Sequence, residues 1–142
     1  MSHTSYAIPA MAQLAVLKQE GVDPSAWVWT HAHNEQDHDA HAAAARAGAW
    51  VSFDGCGEGD QERDVDNVME MKRRGLLGRV HLSHDAGWYE PQSDYEYRPH
   101  DFIFTQLQAR LREAGLTQDD LDRVCVRNPR QAFAIRRREL AR

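Results

Sequence analysis

The sequence predicts an α/β fold on parallel strands, and three observations carry that expectation. Short β-branched and aromatic runs alternate with helical stretches along the chain, the pattern of repeated βαβ units. The run 26–30 is near-continuously apolar, as a strand buried on both faces is. The glycine fingerprints of nucleotide-binding open sheets are missing, because Gly55-Cys56-Gly57-Glu58-Gly59 has neither Walker nor dinucleotide spacing. Four units at this spacing make half of an eight-stranded barrel or a small open doubly wound sheet.

Met1 to Thr4 is too short for periodicity to judge, but it sets His3 near the start. Pro9 can open a helix, Met11, Leu14, Ala15, Val16 and Leu17 form its apolar stripe, and Gly21 stops it. Asp23-Pro24-Ser25 is a turn, and the strand Ala26 to Thr30 runs into His31. After a polar loop, the alanine-rich stretch His38 to Ala47 is strongly helical and closed by Gly48. Trp50 to Phe53 is the third strand, ending at Asp54-Gly55. A glycine- and acid-rich loop leads into a helix from Asp60 to Arg74, with Val65, Val68 and Met69 on one face. Arg79 to Leu82 is the last strand, and its alternation sets Asp85 on the same side as Ser83 and His81. A long aromatic and acidic loop follows to His100, of the length that usually serves a site. Asp101 to Ala114 is helical, Thr117 to Asp120 opens another short helix much as a capping box does, and Asn128-Pro129 caps a last one.

The 142 residues fit one domain with a real core. Charged residues make up 27%, with a net charge of -5 and the two signs interspersed, which gives no nucleic-acid footprint and no polybasic membrane patch. No apolar run reaches the length of a membrane span, and no secretory signal opens the chain. The two cysteines, Cys56 and Cys125, are most simply read as reduced thiols of a cytoplasmic protein. The eight histidines cluster early and raise a metal hypothesis. A lone Asp85 after a strand would read as a turn or a helix cap. His3 and His31 occupy comparable strand ends, however, and in a barrel such ends converge on one rim. Imidazole and carboxylate together suit zinc and similar divalent ions.

Ser2-His3-Thr4, Leu17-Lys18-Gln19-Glu20-Gly21-Val22-Asp23-Pro24, Thr30-His31, Phe53-Asp54-Gly55, Ser83-His84-Asp85-Ala86-Gly87-Trp88 and Asn128-Pro129-Arg130-Gln131-Ala132-Phe133 follow one another along the chain. In that order they resemble the phosphotriesterase family of the amidohydrolase superfamily. The resemblance implies that residues 1–142 are one partial domain, strands five to eight of a metal-dependent TIM (β/α)8 barrel with terminal helices. It makes His3 and His31 ligands of the more exposed ion of a dinuclear pair, with zinc as the implied metal. Asp85 becomes the aspartate that binds the more buried ion and accepts a proton from the bridging hydroxide. Trp88 and Tyr89 would line the substrate pocket, and Asp54 would stand behind the ligands. The implied reaction is hydrolysis of a phosphotriester, a lactone or another carboxylic ester.

Two positions depart from the family pattern. His33 replaces an acidic residue often found soon after the sixth-strand histidine, and Gly55 stands where other members carry a relay histidine, so the relay is not carried over. The family's first-strand His-x-His and its bridging carbamylated lysine would lie upstream of Met1. The chain alone is therefore expected not to turn over, and its expected partner is the N-terminal half of the barrel or a second copy of itself. The alternative expectation is a non-catalytic truncated relative that binds a metal or a small ligand. His33, His38 and His41 are expected on loop and helix surfaces, and His84 behind its strand.

Overall fold

The structure, a computed structural model, describes residues 1–87 and 100–134. Trp88 and Tyr89, the expected pocket residues, lie outside the described residues. Four strands, β1 (Ser2–His3), β2 (Val28–Thr30), β3 (Trp50–Phe53) and β4 (Val80–Leu82), form one parallel sheet in that order. Helices α1 (Ala7–Gln19), α2 (His38–Arg46) and α3 (Gln61–Arg73) make the crossovers. The architecture is the four-unit parallel α/β arrangement the sequence predicts, and it corresponds to half of a TIM barrel. Among the described residues, no helix is long and apolar enough to cross a membrane.

Each crossover helix begins where a side chain supplies an acceptor for the free N–H groups of its first turn. Asp37 Oδ1 accepts from the Asp39 N–H at 2.8 Å and opens α2; Asp60 Oδ1 accepts from the Glu62 N–H at 2.9 Å and opens α3. The first turn of α1 uses a distant residue instead, since the Ala7 N–H donates to Glu35 Oε2 at 2.8 Å. That bond ties the start of α1 to the loop that follows β2. In α1 the buried positions are Ala10 and Leu14, whereas Val16, expected in the stripe, is 56% exposed. Ala40, Ala44 and Ala45 are buried, and their small side chains let α2 lie close to its neighbours.

The register assigns every strand residue to a face. Trp29, Val51 and Val80 are in line across the sheet and join the helices in one core with Leu14, Val68, Met71, Leu107 and Leu111. His3 and Thr30 are register partners, as are Ser52 and His81, and these side chains point to the other face. On that face Trp50 stacks on His81 with ring centroids 4.8 Å apart, Arg79 lies over Trp50 at 4.9 Å, and Phe133 touches His81 from the last helix.

Asp85 does not share the environment of His81, although a continuous strand would put them on one side. The strand stops at Leu82, and Asp85 has φ 46°, so the twofold alternation ends before it reaches the carboxylate. Asn128 also departs from expectation. Its φ of -65° is helical, because a π turn (Arg123–Arg127) carries the chain from α5 (Gln118–Asp122) into α6 (Asn128–Phe133). Its amide donates instead to the Leu77 and Val80 carbonyls at 2.7 and 2.8 Å, fastening the terminal helices to the start of β4. A second π turn (Ile103–Leu107) precedes α4 (Gln108–Glu113), and the Thr117–Asp120 capping box forms as expected.

Two histidines are sealed in. His41, expected on a surface, has no exposure and lies between Trp29 and Phe53, with Nε2 donating to the Ala32 carbonyl at 2.8 Å. Burial pushes both His41 and His81 down from 6.5 to about 4. A base lowered on folding stabilises the protein above its unfolded value and loses that contribution as the pH falls toward the folded one. Between pH 6.5 and about 4, each should therefore cost on the order of 3 kcal/mol of stability. Urea unfolding followed across this range should show the midpoint dropping steeply, and His41→Leu should flatten the slope while lowering stability at neutral pH. A wild-type midpoint unchanged between pH 7 and 4.5 would contradict this.

Candidate metal centre

The C-terminal ends of the strands meet at one rim, and each contributes a polar residue. His3 ends β1, His31 follows β2, Asp54 follows β3 and Asp85 lies three residues beyond β4. Among the described residues, His31 (φ 61°) and Asp85 (φ 46°) are the two non-glycine positions with a left-handed backbone. Such conformations cost of order 1–3 kcal/mol each and persist where surrounding contacts enforce them.

For His31 the enforcing group is Asp54. Its carboxylate receives the His31 backbone N–H at 3.1 and 3.0 Å on its two oxygens, and the Ser52 hydroxyl at 3.2 Å. The His31 ring reaches the same carboxylate through Nδ1 at 3.1 Å, and His33 Nδ1 lies 2.9 Å away. Burial opposes ionisation of Asp54, but the His33 contact, the His31 N–H and the two imidazoles outweigh it and hold the carboxyl below its usual range. An ionised Asp54 only accepts, so His31 Nδ1 is the donor to it, and in the neutral ring the lone pair falls on Nε2. That Nε2 faces His3 Nδ1 at 3.1 Å, with the two rings edge to face.

A cation held at about 2.0–2.1 Å by each of two imidazoles brings their nitrogens to roughly 3 Å, so this spacing suits one. A different grouping is also close: one ligand atom each from His31, His33 and Asp54 lie within 4.8 Å of one another. That inner set includes Asp54, whose Oδ1 already meets His31 Nδ1. The outer pair uses Nε2 and opens to a cleft of about 450 Å³, where His3, His31 and Asp85 all line the wall. Asp85 Oδ2 stands 3.8 Å from His31 Nδ1, and its side chain is 58% exposed.

The turn that carries these groups is held from behind. His41 grips the Ala32 carbonyl, and Glu35 Oε1 accepts from the Gln36 and Asp37 N–H groups at 2.8 and 3.0 Å. His84 faces away from the cleft, as expected, and its Nε2 accepts from the Ile103 N–H at 3.0 Å. The structure thus brings His3, His31 and Asp85 together and adds two residues given little weight from the sequence. His33 is buried, not a loop-surface residue, and Asp54 is the centre of the network. The His31-Ala32-His33 spacing and the glycine at 55 were the available signals. A Cβ on Gly55 would lie 2.5 Å from His33 Nε2, so only glycine leaves room for that ring.

The sequence profile of the phosphotriesterase family matches residues 1–133. The chain belongs to the phosphotriesterase family. It is 31% identical over 138 residues to the phosphotriesterase homology protein of Escherichia coli (strain K12), covering 93% of this chain and 46% of that one. The crystal structure of the Escherichia coli protein, complexed with phosphate in its active site, superposes with a TM-score of 0.78 at 29% identity, over 91% of this chain and 46% of that chain. A resiniferatoxin-binding protein from Rhodobacter sphaeroides gives 0.77 at 26% identity, over 87% and 38% of the two chains. The organophosphorus hydrolase of Deinococcus radiodurans gives 0.77 at 24% identity, over 87% and 42%, a likeness of fold. This phosphotriesterase-family chain spans less than half the length of these relatives.

Replacing Gly55 by alanine should expel the His33 ring from its place beside Asp54, at a cost of about 1–3 kcal/mol. Chemical denaturation, together with the His33 imidazole NMR shifts, measures both effects. A Gly55→Ala protein of wild-type stability with unmoved His33 resonances would show that the ring does not pack there.

Proposed function

We propose that this chain supplies one side of the active site of a phosphotriesterase-like, metal-dependent hydrolase acting on a small ester or lactone. Family membership supports the hydrolase class, and the facing of His3 Nδ1 and His31 Nε2 at 3.1 Å carries the metal assignment. His3 and His31 would hold a divalent ion, zinc best matching an imidazole and carboxylate donor set, and Asp85 would complete that side of the site. When bound, such an ion lowers the pKa of a water and polarises the ester's C=O or P=O. The outer pair is favoured over the inner set because the Asp54 oxygens already serve the His31 N–H and the Ser52 hydroxyl.

The residues divide the remaining work. Asp54 fixes the His31 tautomer and its left-handed backbone, which keeps Nε2 aimed at the cleft. Asp85, exposed at the rim, takes the proton of the attacking water on a carboxylate oxygen. The water oxygen bonds to the acyl carbon or phosphorus, the ester C–O or P–O bond breaks, and the proton passes from Asp85 to the leaving oxygen. The outer edges of β1 and β4 pair with no strand among the described residues. Turnover would need a second set of four strands to close the site, either the complementary half of a barrel or another copy of this chain.

Metal analysis by mass spectrometry should find stoichiometric zinc in the wild-type chain and none in His31→Ala. Asp54→Asn should bind zinc about 10–100-fold more weakly, since it disturbs the group that orients the ligand. Ester or lactone hydrolysis should be absent for the chain alone, return on mixing with a complementary half-barrel, and vanish again in Asp85→Asn. Undiminished zinc in His31→Ala, or full activity in Asp85→Asn, would refute the assignment.

A further inference from the structure

Among the described residues, one arginine or lysine lines the cleft in front of His3 and His31. Arg63 lines its far wall together with Glu58 and Gly59. Arg63 stands in the first turn of α3, where its backbone N–H is taken by the Asp60 cap at 3.4 Å, and its side chain turns back over the glycine-rich loop. There one guanidinium nitrogen donates to the Glu58 carbonyl at 3.1 Å. Its Nε is sealed from solvent and has no acceptor among the described residues.

A guanidinium offers five donors, and the buried ones are costly to leave unpaired. The nearest carboxylate to Arg63 among the described residues is Asp64 Oδ1, at 3.9 Å, too long for a hydrogen bond. The other Asp64 oxygen is occupied by the Gly57 N–H at 2.9 Å, and burial raises that carboxyl above its usual range. Among the described residues Arg63 is therefore hydrogen-bonded to one backbone carbonyl and has Asp64 as its one nearby carboxylate, and the exposed part of its guanidinium is left to meet something that enters the cleft. Its side chain is one-third exposed, so it is reachable from the opening.

We propose that Arg63 is a specificity-determining residue that binds an anionic group of the substrate, a carboxylate or a phosphate, and so selects negatively charged esters over neutral ones. The proposal rests on the metal-hydrolase reading only for what happens at the other end of the cleft. A cleft of about 450 Å³ accommodates a small ester with its reacting bond at the imidazole pair and its anionic end at Arg63. A planar fork meets two oxyanion oxygens at once, which a single ammonium does not.

Isothermal titration with inorganic phosphate, and separately with succinate, tests this on the wild type, Arg63→Gln and Arg63→Lys, each with and without stoichiometric zinc. Wild type should bind at least one of the two anions with or without zinc. Arg63→Gln should bind it about tenfold more weakly or worse in both states, and Arg63→Lys should fall between, while zinc stoichiometry stays at the wild-type value in both variants. The anion that loses more affinity identifies the group. Equal affinity in wild type and Arg63→Gln, or no binding of either anion to the wild type, overturns the proposal. Arg63-dependent anion binding by a protein that takes up no zinc would uphold it while refuting the metal assignment. Circular dichroism of both variants separates a lost contact from a lost fold, and Arg63→Lys, with its charge kept, stands as the comparison should Arg63→Gln unfold.

Discussion

The buried carboxylate of Asp54 is the constraint on which the rim depends. It receives the His31 N–H on both oxygens, the Ser52 hydroxyl on one and the His31 ring on the other, where His33 Nδ1 also lies 2.9 Å away. A carboxylate so enclosed would favour its neutral form if it were alone. Here the donors make ionisation the cheaper state, and ionisation in turn dictates which His31 nitrogen carries the proton. Backbone strain, tautomer and ring direction at His31 are thus consequences of one residue on the neighbouring strand. Neutralising that carboxylate would release all three together.

The fold was legible because it depends on patterns that sequence carries directly. Alternating strands and helices, the alanine-rich α2 and the Thr117–Asp120 capping box are local properties, and the structure follows them. The ends of elements were less legible where tertiary contacts override local chemistry. Asn128-Pro129 has the letters of a helix start, yet Asn128 spends its amide on the Leu77 and Val80 carbonyls and lets a π turn pass through. Asp85 was assigned a face by alternation, and alternation fails once the backbone turns left-handed.

The candidate site was legible in part for the same reason. His3, His31 and Asp85 are strand-end residues, and parallel strands bring their ends together whatever lies between them. The supporting shell depends on packing that no spacing rule reports. His33 reaches Asp54 only because position 55 lacks a side chain, a dependence between residues 22 apart. His41, one of several histidines in a polar stretch, is recruited to the core because its Nε2 can satisfy the Ala32 carbonyl at the back of the same turn. Arg63 has the address of an ordinary helix-surface arginine, and only the fold of the 55–59 loop sets it against the cleft.

The two faces of the sheet have different relations to closure. The helix-facing side is finished, with Trp29, Val51, Phe53 and Val80 buried under α1 to α3 and the terminal helices. Among the described residues, the opposite side is covered toward the start of β4 by the Trp50, His81 and Phe133 stack, while its other end opens at the rim through the polar cleft. Four parallel strands with unpaired outer edges do not enclose a reaction centre, and the field around an ion at the rim would be screened by water on its open side. The ligand geometry is nonetheless set within these strands, since Asp54, Ser52, His31 and His3 need no contact beyond them. On the proposed reading, holding an ion and using it would be separable properties: the first would be local to this sheet, and the second would require the strands that surround it.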